Sequence, residues 1–136
     1  MQSYGFSVVI HVVYATDLVD YDSPDQDQAG WDFLQQTQLP IGVQMILTNP
    51  PFRLALEFVA HAKAIATRKV AMLLPVEFLS GVARYAFFQD RRFPLKIVYV
   101  FAARLCFGMD TPAAVAHAWF VWDRNSRGEP RIGWIR

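Results

Sequence analysis

The sequence predicts a single α/β domain spanning residues 1–136, and three observations support that fold class. Short runs of β-branched and aromatic residues alternate with helical patterns, which is typical of a layered α/β sheet. Apolar residues make up 54% of the chain, enough to build a core and too many for a disordered protein. No run of about 18 uncharged apolar residues is present, and the single cysteine excludes an internal disulfide framework.

The first half of the chain is predicted to contain two strands separated by loops. Residues 6–16 are β-branched and aromatic, which favours a strand. Residues 20–30 are polar and carry a proline and a glycine, so we expect a loop there. Residues 31–34 indicate either an edge turn or a brief strand. Residues 43–48 predict a buried strand that is closed by two prolines.

The second half is predicted to contain helices between further strands. Apolar residues recur at helical spacing over residues 53–66, which predicts an amphipathic helix. Residues 69–74 predict another buried strand. Residues 75–88 predict a loop and a helix, with a glycine weakening the centre of the segment. Residues 97–102 and 117–122 predict two late strands, which we expect to form an antiparallel pair at the end of the sheet.

The formal net charge of +1 conceals a strong asymmetry along the chain. Residues 1–52 contain six aspartates and no lysine or arginine, which sums to −6. The remaining residues contain 13 basic and six acidic side chains, which sums to +7. Such a division fits a polyanion that approaches the C-terminal part. The simpler interpretation, an unevenly charged and solvated surface, is favoured, and charge alone does not decide between the two.

The most informative segment is Asn49-Pro50-Pro51-Phe52, between a predicted strand and a predicted helix. Loops at the carboxyl ends of strands are where open α/β sheets bind ligands. Two successive prolines fix the backbone and remove two N–H donors. The Asn49 amide oxygen and a neighbouring carbonyl therefore offer two acceptors for one amino group, and Phe52 offers a face for a planar base. Accepting both amino hydrogens prepares a weakly nucleophilic nitrogen for attack on a methyl group.

This arrangement resembles the catalytic motif of amino-methyltransferases that use S-adenosylmethionine, especially small phage-type or prophage-type DNA adenine-N6 enzymes. The resemblance implies a Rossmann-like class I methyltransferase sheet with helices on both faces. It also implies S-adenosylmethionine as cofactor, DNA as substrate and Asn49, Pro50, Pro51 and Phe52 as catalytic residues. RNA adenine, cytosine N4 and protein glutamine remain open as targets. The alternative is a proline-terminated strand whose phenylalanine caps the core.

Two further segments resemble the family's cofactor-binding motifs. Asp17 and Leu18 resemble the end of its second strand, where an acid accepts hydrogen bonds from the ribose hydroxyls of the cofactor. Asp32 and Phe33 resemble its third motif, where the acid meets the adenine amino group and its neighbour packs on the ring. We expect Asp17, Asp32 and Asn49 at successive strand ends. A turn cap for Asp17 and a surface turn for Asp32 are the alternatives.

The family's glycine-rich turn, which cradles the methionine part of the cofactor, has no counterpart before Asp17, because Gly5 is the only glycine there. The sequence is therefore expected to start inside the family's first helix and to lack its first strand. Strands beside that position would have unpaired edges. We expect a rearrangement, a shift of residues 6–16, or pairing with a second copy or a completing chain. The alternative function is a catalytically inactive remnant or binding module.

Other features predict no additional chemistry. His11, His61 and His117 lack metal-ligand spacing and are interpreted as structural or exposed, so no metal is expected. The N-terminus lacks a signal-peptide pattern and no membrane partner is expected, so the predicted location is cytoplasmic.

Overall fold

A computed structural model describes residues 13–108 and 111–136. The chain divides into two compact units, residues 1–36 and residues 37–136, which are described separately. The larger unit contains, in chain order, β1 (Met45–Thr48), α1 (Ala55–Ile65), β2 (Lys69–Pro75), α2 (Val82–Gln89), β3 (Leu95–Phe101), β4 (His117–Asp123) and β5 (Arg131–Ile135). Single 3-10 turns precede α1 and α2 (Phe52–Leu54 and Val76–Leu79).

The five strands form one mixed sheet in the order β1-β2-β4-β3-β5. β1 runs parallel to β2, and β5 runs parallel to β3. β4 lies between β2 and β3 and is antiparallel to both. The carboxyl ends of β1, β2, β3 and β5 therefore share one edge of the sheet with the beginning of β4. That shared edge is called the carboxyl edge below.

The core of this unit is centred on β2 and β4, which are paired along both sides. Met72 and Leu74 of β2 and Phe120 and Trp122 of β4 have no exposed surface. Val59 of α1 is also fully buried. Central strands that are buried on both faces carry near-continuous apolar runs, and this is why both segments were recognisable in the sequence.

The α/β class predicted from the sequence is confirmed by this mixed sheet with its helices. The predicted strands at residues 43–48, 69–74, 97–102 and 117–122 and the helix at 53–66 all form, with ends shifted by a few residues. The segment 75–88 divides at Gly81, which has a φ of 133° and precedes the first turn of α2. A positive φ is adopted far more readily by glycine than by other residues, so the chain changes direction there.

The prediction that β3 and β4 end the sheet was wrong, because β5 extends it beyond β3. β5 is short, and Arg131 and Gly133 interrupt its apolar pattern. The Tyr99 ring packs against the backbone at Gly133, where β5 has no side chain. A Cβ at Gly133 would lie 2.9 Å from two ring carbons of Tyr99. The Tyr99 ring thus covers the position that a side chain on β5 would occupy.

In the smaller unit the described residues form turns and one isolated bridge. Thr16 and Gln28 form a parallel bridge, and the Asp17 N–H donates to the Gln28 carbonyl at 3.1 Å. Of the predicted strand at 6–16, residues 6–12 lie outside the described residues, and of residues 13–16 only Thr16 makes a bridge. Residues 31–34 end in a 3-10 turn, Phe33–Gln35, so the brief-strand alternative was wrong.

None of the helices in the described parts of the chain is long and apolar enough to cross a membrane.

Candidate active site

Asn49-Pro50-Pro51-Phe52 lies at the carboxyl edge of the sheet, directly after β1 and before α1. The preceding residue, Thr48, pairs with Met72 in the parallel ladder. Pro51 has φ −60° and ψ 133°, and its carbonyl accepts from the Leu54 N–H at 2.9 Å to begin the 3-10 turn. The backbone of the tetrapeptide is therefore held by a strand on one side and a helical turn on the other. The predicted strand–motif–helix order is present.

The side chains of this motif differ in exposure. Asn49 and Pro51 are exposed, whereas Pro50 is buried and anchors the turn. Phe52 is 56% exposed. Among the residues that the structure describes, none hydrogen-bonds the Asn49 amide. The amide oxygen is thus available to accept from a ligand, and Phe52 is too exposed to serve as a core cap.

One face of the Phe52 ring contacts His117, the first residue of β4. The two ring centroids are 5.5 Å apart and the planes are inclined by 30°, a stacked arrangement. Phe107, in the segment between β3 and β4, meets His117 edge-on with centroids 4.8 Å apart. Because β2 separates β1 from β4 in the sheet, the Phe52 side chain reaches across the end of β2 to make this contact.

His117 is the residue of this site that sequence reasoning missed. It was interpreted as structural or exposed, and it is 1% exposed. Its contact with Phe52 depends on the sheet order, because β4 lies between β2 and β3, which places His117 next to the end of β2. No local signal in the sequence carries that information. His11 lies outside the described residues.

The predicted cofactor-binding residues lie in the smaller unit, and each makes a local turn contact. One carboxylate oxygen of Asp17 accepts from the Val19 N–H at 3.0 Å, and Leu18 is 64% exposed. One carboxylate oxygen of Asp32 accepts from the Leu34 N–H, also at 3.0 Å. These bonds match the cap alternative for Asp17 and the surface-turn alternative for Asp32, and each uses one oxygen of its carboxylate.

Within this unit, the segments carrying the two acids are joined by the backbone: the Trp31 N–H donates to the Asp17 carbonyl at 3.0 Å. Phe33 is half-buried, and its ring centroid lies 6.4 Å from that of Trp31. The expectation that Asp32 ends a strand was wrong, because Asp32 caps the 3-10 turn instead. Asn49 does follow a strand, as expected.

A shallow cavity of about 290 Å³ lies beside Asp17 in the smaller unit. Apart from one alanine, its lining consists of polar and aromatic residues of a single segment: Ala15, Thr16, Asp17, Tyr21, Ser23, Asp25 and Gln26. Two carboxylates, two hydroxyl groups of serine and threonine, and a phenol ring are suited to a ligand that carries hydroxyl groups. The cavity therefore gives Asp17 a candidate ligand environment within its own unit.

Two sets of ion pairs stabilise the larger unit. Lys63 of α1 is 8% exposed, and its Nζ lies 2.9 Å from an Asp90 carboxylate oxygen just after α2. Burial by itself would raise the pKa of Asp90, but hydrogen bonds from Lys63 and the Arg92 N–H, with the charges of both residues, lower it below its ordinary value.

Asp123, at the end of β4, lies at the opposite edge of the sheet. Its carboxylate is 3.7 Å from Lys69 Nζ and 3.2 Å from Lys96 Nζ. Burial would raise the pKa of Asp123, but the hydrogen bonds from the Asn125 N–H and Lys96, with the charges of Lys69 and Lys96, lower it. Asp123, Lys69 and Lys96 therefore pair with one another at the edge of the sheet opposite the carboxyl edge. In the described parts of the chain, no cluster of three His, Cys, Asp or Glu side chains could hold a metal ion.

No family model matches the sequence, and no curated protein matches it. Among solved structures, the chain is similar to the crystal structure of the M1.HpyAVI–SAM complex, with a TM-score of 0.38 and 19% identity. The match covers 68% of this chain and 57% of that chain.

Proposed function

We propose that this chain is an S-adenosylmethionine-dependent methyltransferase acting on an exocyclic amine, adenine N6 in DNA. The observation that carries the proposal is the placement of Asn49-Pro50-Pro51-Phe52 at the carboxyl edge of a parallel strand pair, with an open Asn49 amide and a Phe52 ring that is 56% exposed. The resemblance of the motif to that of DNA adenine-N6 enzymes names the substrate.

The proposed work of the motif is binding and orientation. The Asn49 amide oxygen and the Pro50 carbonyl accept the two hydrogens of the target amine, while Phe52 stacks on the extruded base. Two acceptors draw the amine nitrogen away from conjugation with the ring and stabilise positive charge as it develops there. The fixed proline backbone holds one acceptor in place before the substrate arrives, which lowers the ordering cost of binding.

For the cofactor, the proposal assigns Asp17 to the ribose hydroxyls and Asp32 with Phe33 to the adenine ring. The side chains fit the ribose hydroxyls: Asp17 lines the 290 Å³ cavity together with Asp25, a second acceptor, and Tyr21. When bound, S-adenosylmethionine supplies an electrophilic methyl group on a sulfonium. Leu18, exposed beside Asp17, is proposed to cover one face of the bound nucleoside.

The test uses the full chain with tritiated S-adenosylmethionine and unmethylated duplex DNA, followed by mass spectrometry of the nucleosides. We expect N6-methyladenine, and Asn49→Ala should lower the rate by about 100-fold or more while calorimetry shows unchanged cofactor affinity. Asn125→Ala is a matched control, because Asn125 is exposed in the turn after β4 at the opposite edge of the sheet.

Three results would contradict the proposal in different ways. Absence of S-adenosylmethionine binding at millimolar concentration would favour the remnant or binding-module function. Methylation of cytosine N4, RNA or protein glutamine would contradict adenine N6 in DNA as the substrate and identify another one. Equal rates for Asn49→Ala and the unmodified chain would remove Asn49 from the role given to it.

A further inference from the structure

His117 is held more rigidly than the motif residue it contacts. It begins β4 opposite Pro75 of β2, one residue before the part of β4 that is paired on both sides, and it is 1% exposed. Its Nδ1 lies 3.1 Å from the Val115 carbonyl. Since a carbonyl can only accept, this contact places a proton on Nδ1 and prevents the ring from turning without loss of the bond.

The other ring nitrogen of His117 makes no hydrogen bond to the part of the chain that the structure describes. Nε2 is buried and, within residues 13–108 and 111–136, has no hydrogen-bond partner. In the neutral ring it is a bare acceptor, and a buried acceptor without a donor is unfavourable. A purely apolar residue would avoid that penalty but would leave the Val115 carbonyl without its Nδ1 donor. What a histidine provides at this position is therefore the Nδ1 bond, which fixes the orientation of the ring.

The Phe52 ring, by contrast, is largely open to solvent. It is 56% exposed, and Phe52 begins the 3-10 turn that leads into α1. Its ring stacks on the His117 imidazole, with the two centroids 5.5 Å apart and the planes inclined by 30°. Phe107 packs edge-on against the same imidazole and limits its movement. The imidazole thus supports one face of Phe52, while more than half of the Phe52 surface stays open to solvent.

We propose that His117 is a positioning residue that orients Phe52 for stacking on a planar base. The inference rests on the proposed function, because it assumes that Phe52 receives the target base. A phenyl ring that is already held in one rotamer loses less conformational freedom when the base stacks on it. The polar, hydrogen-bonded imidazole is suited to this task because Val115 fixes its plane, and that plane sets the plane of Phe52.

The experiment measures kcat/KM for DNA under the methyl-transfer conditions given above, together with cofactor affinity. His117→Asn keeps an N–H donor near Val115 but removes the ring, and we expect kcat/KM for DNA to fall about three- to tenfold, with cofactor affinity unchanged. His117→Phe keeps an aromatic ring in the buried site but loses the Nδ1 bond to the Val115 carbonyl, so we expect it to fold and to lose less activity than His117→Asn. In a Phe52→Leu background, His117→Asn should have no further effect.

Each outcome decides one question. A fall of the same size for His117→Asn in both backgrounds would show that His117 does not act through Phe52 and would overturn the inference alone. Full activity of His117→Asn, or a loss in His117→Phe as large as in His117→Asn, would also overturn it. Methyl transfer by the unmodified chain would leave the proposed function standing in those cases. No transfer by the unmodified chain would overturn both.

Discussion

The pair formed by Lys63 and Asp90 offers the most direct test of how the larger unit is stabilised. Asp90→Asn removes the negative charge but keeps the shape of the side chain, so it leaves the Lys63 ammonium without its counter-ion at 8% exposure. Breaking a fully buried pair in this way costs about 3–5 kcal/mol. Asp90 is 26% exposed, and the Phe87 and Phe93 rings lie 5.7 and 6.0 Å from Lys63 Nζ.

Water that reaches Asp90 and the two aromatic faces beside Lys63 partly stabilise the unpaired ammonium. We therefore expect Asp90→Asn to lower the free energy of unfolding by about 2 kcal/mol. Urea unfolding followed by tryptophan fluorescence should show a midpoint lower by about 1 M with an unchanged slope. The double variant Lys63→Met/Asp90→Asn removes the unpaired charge and should recover to within about 1 kcal/mol of the unmodified chain. Glu129→Gln, at an exposed carboxylate, is the control. An Asp90→Asn variant as stable as the unmodified chain, or a double variant no more stable than Asp90→Asn, would contradict this prediction.

Two further predictions concern the same sheet. Because the folded-state pKa of Asp123 is lowered, its contribution to stability is complete above about pH 4 and is lost as the pH falls through the folded pKa. The free energy of unfolding should therefore decline more steeply with acid in the unmodified chain than in Asp123→Asn, and equal slopes in a pH series of urea titrations would contradict this. Gly133→Ala should cost about 1–2 kcal/mol, because its Cβ would lie 2.9 Å from Tyr99 ring carbons. In a Tyr99→Ala background, Gly133→Ala should no longer lower the stability. Thermal melting of the unmodified chain, the two single variants and the double variant measures the difference.

Several elements of this fold were predictable because their signals are local. β2 carries an unbroken apolar run, and its pattern alone predicts a buried strand. The α1 helix follows from apolar spacing, and its beginning follows from the prolines before it. The tetrapeptide Asn49-Pro50-Pro51-Phe52 was placed correctly because each neighbour along the chain was placed correctly. Its catalytic role remains a prediction.

Other features depended on contacts between residues that are distant along the chain. β5 carries too weak a pattern to be recognised, and it becomes a strand because β3 offers a free edge and Tyr99 covers Gly133. Asp32 looked like the end of a strand, whereas its side chain caps a turn.

What the sequence determined by itself is the set of strands and helices with strong periodic patterns, together with the chemical groups of the candidate site. What only the tertiary structure decided is which of those groups meet. The insertion of β4 between β2 and β3 brings His117 to the carboxyl edge, within stacking distance of Phe52. Strand pairing is made by backbone groups that every residue carries, so the side-chain pattern predicts that a segment is a strand but does not specify its neighbour.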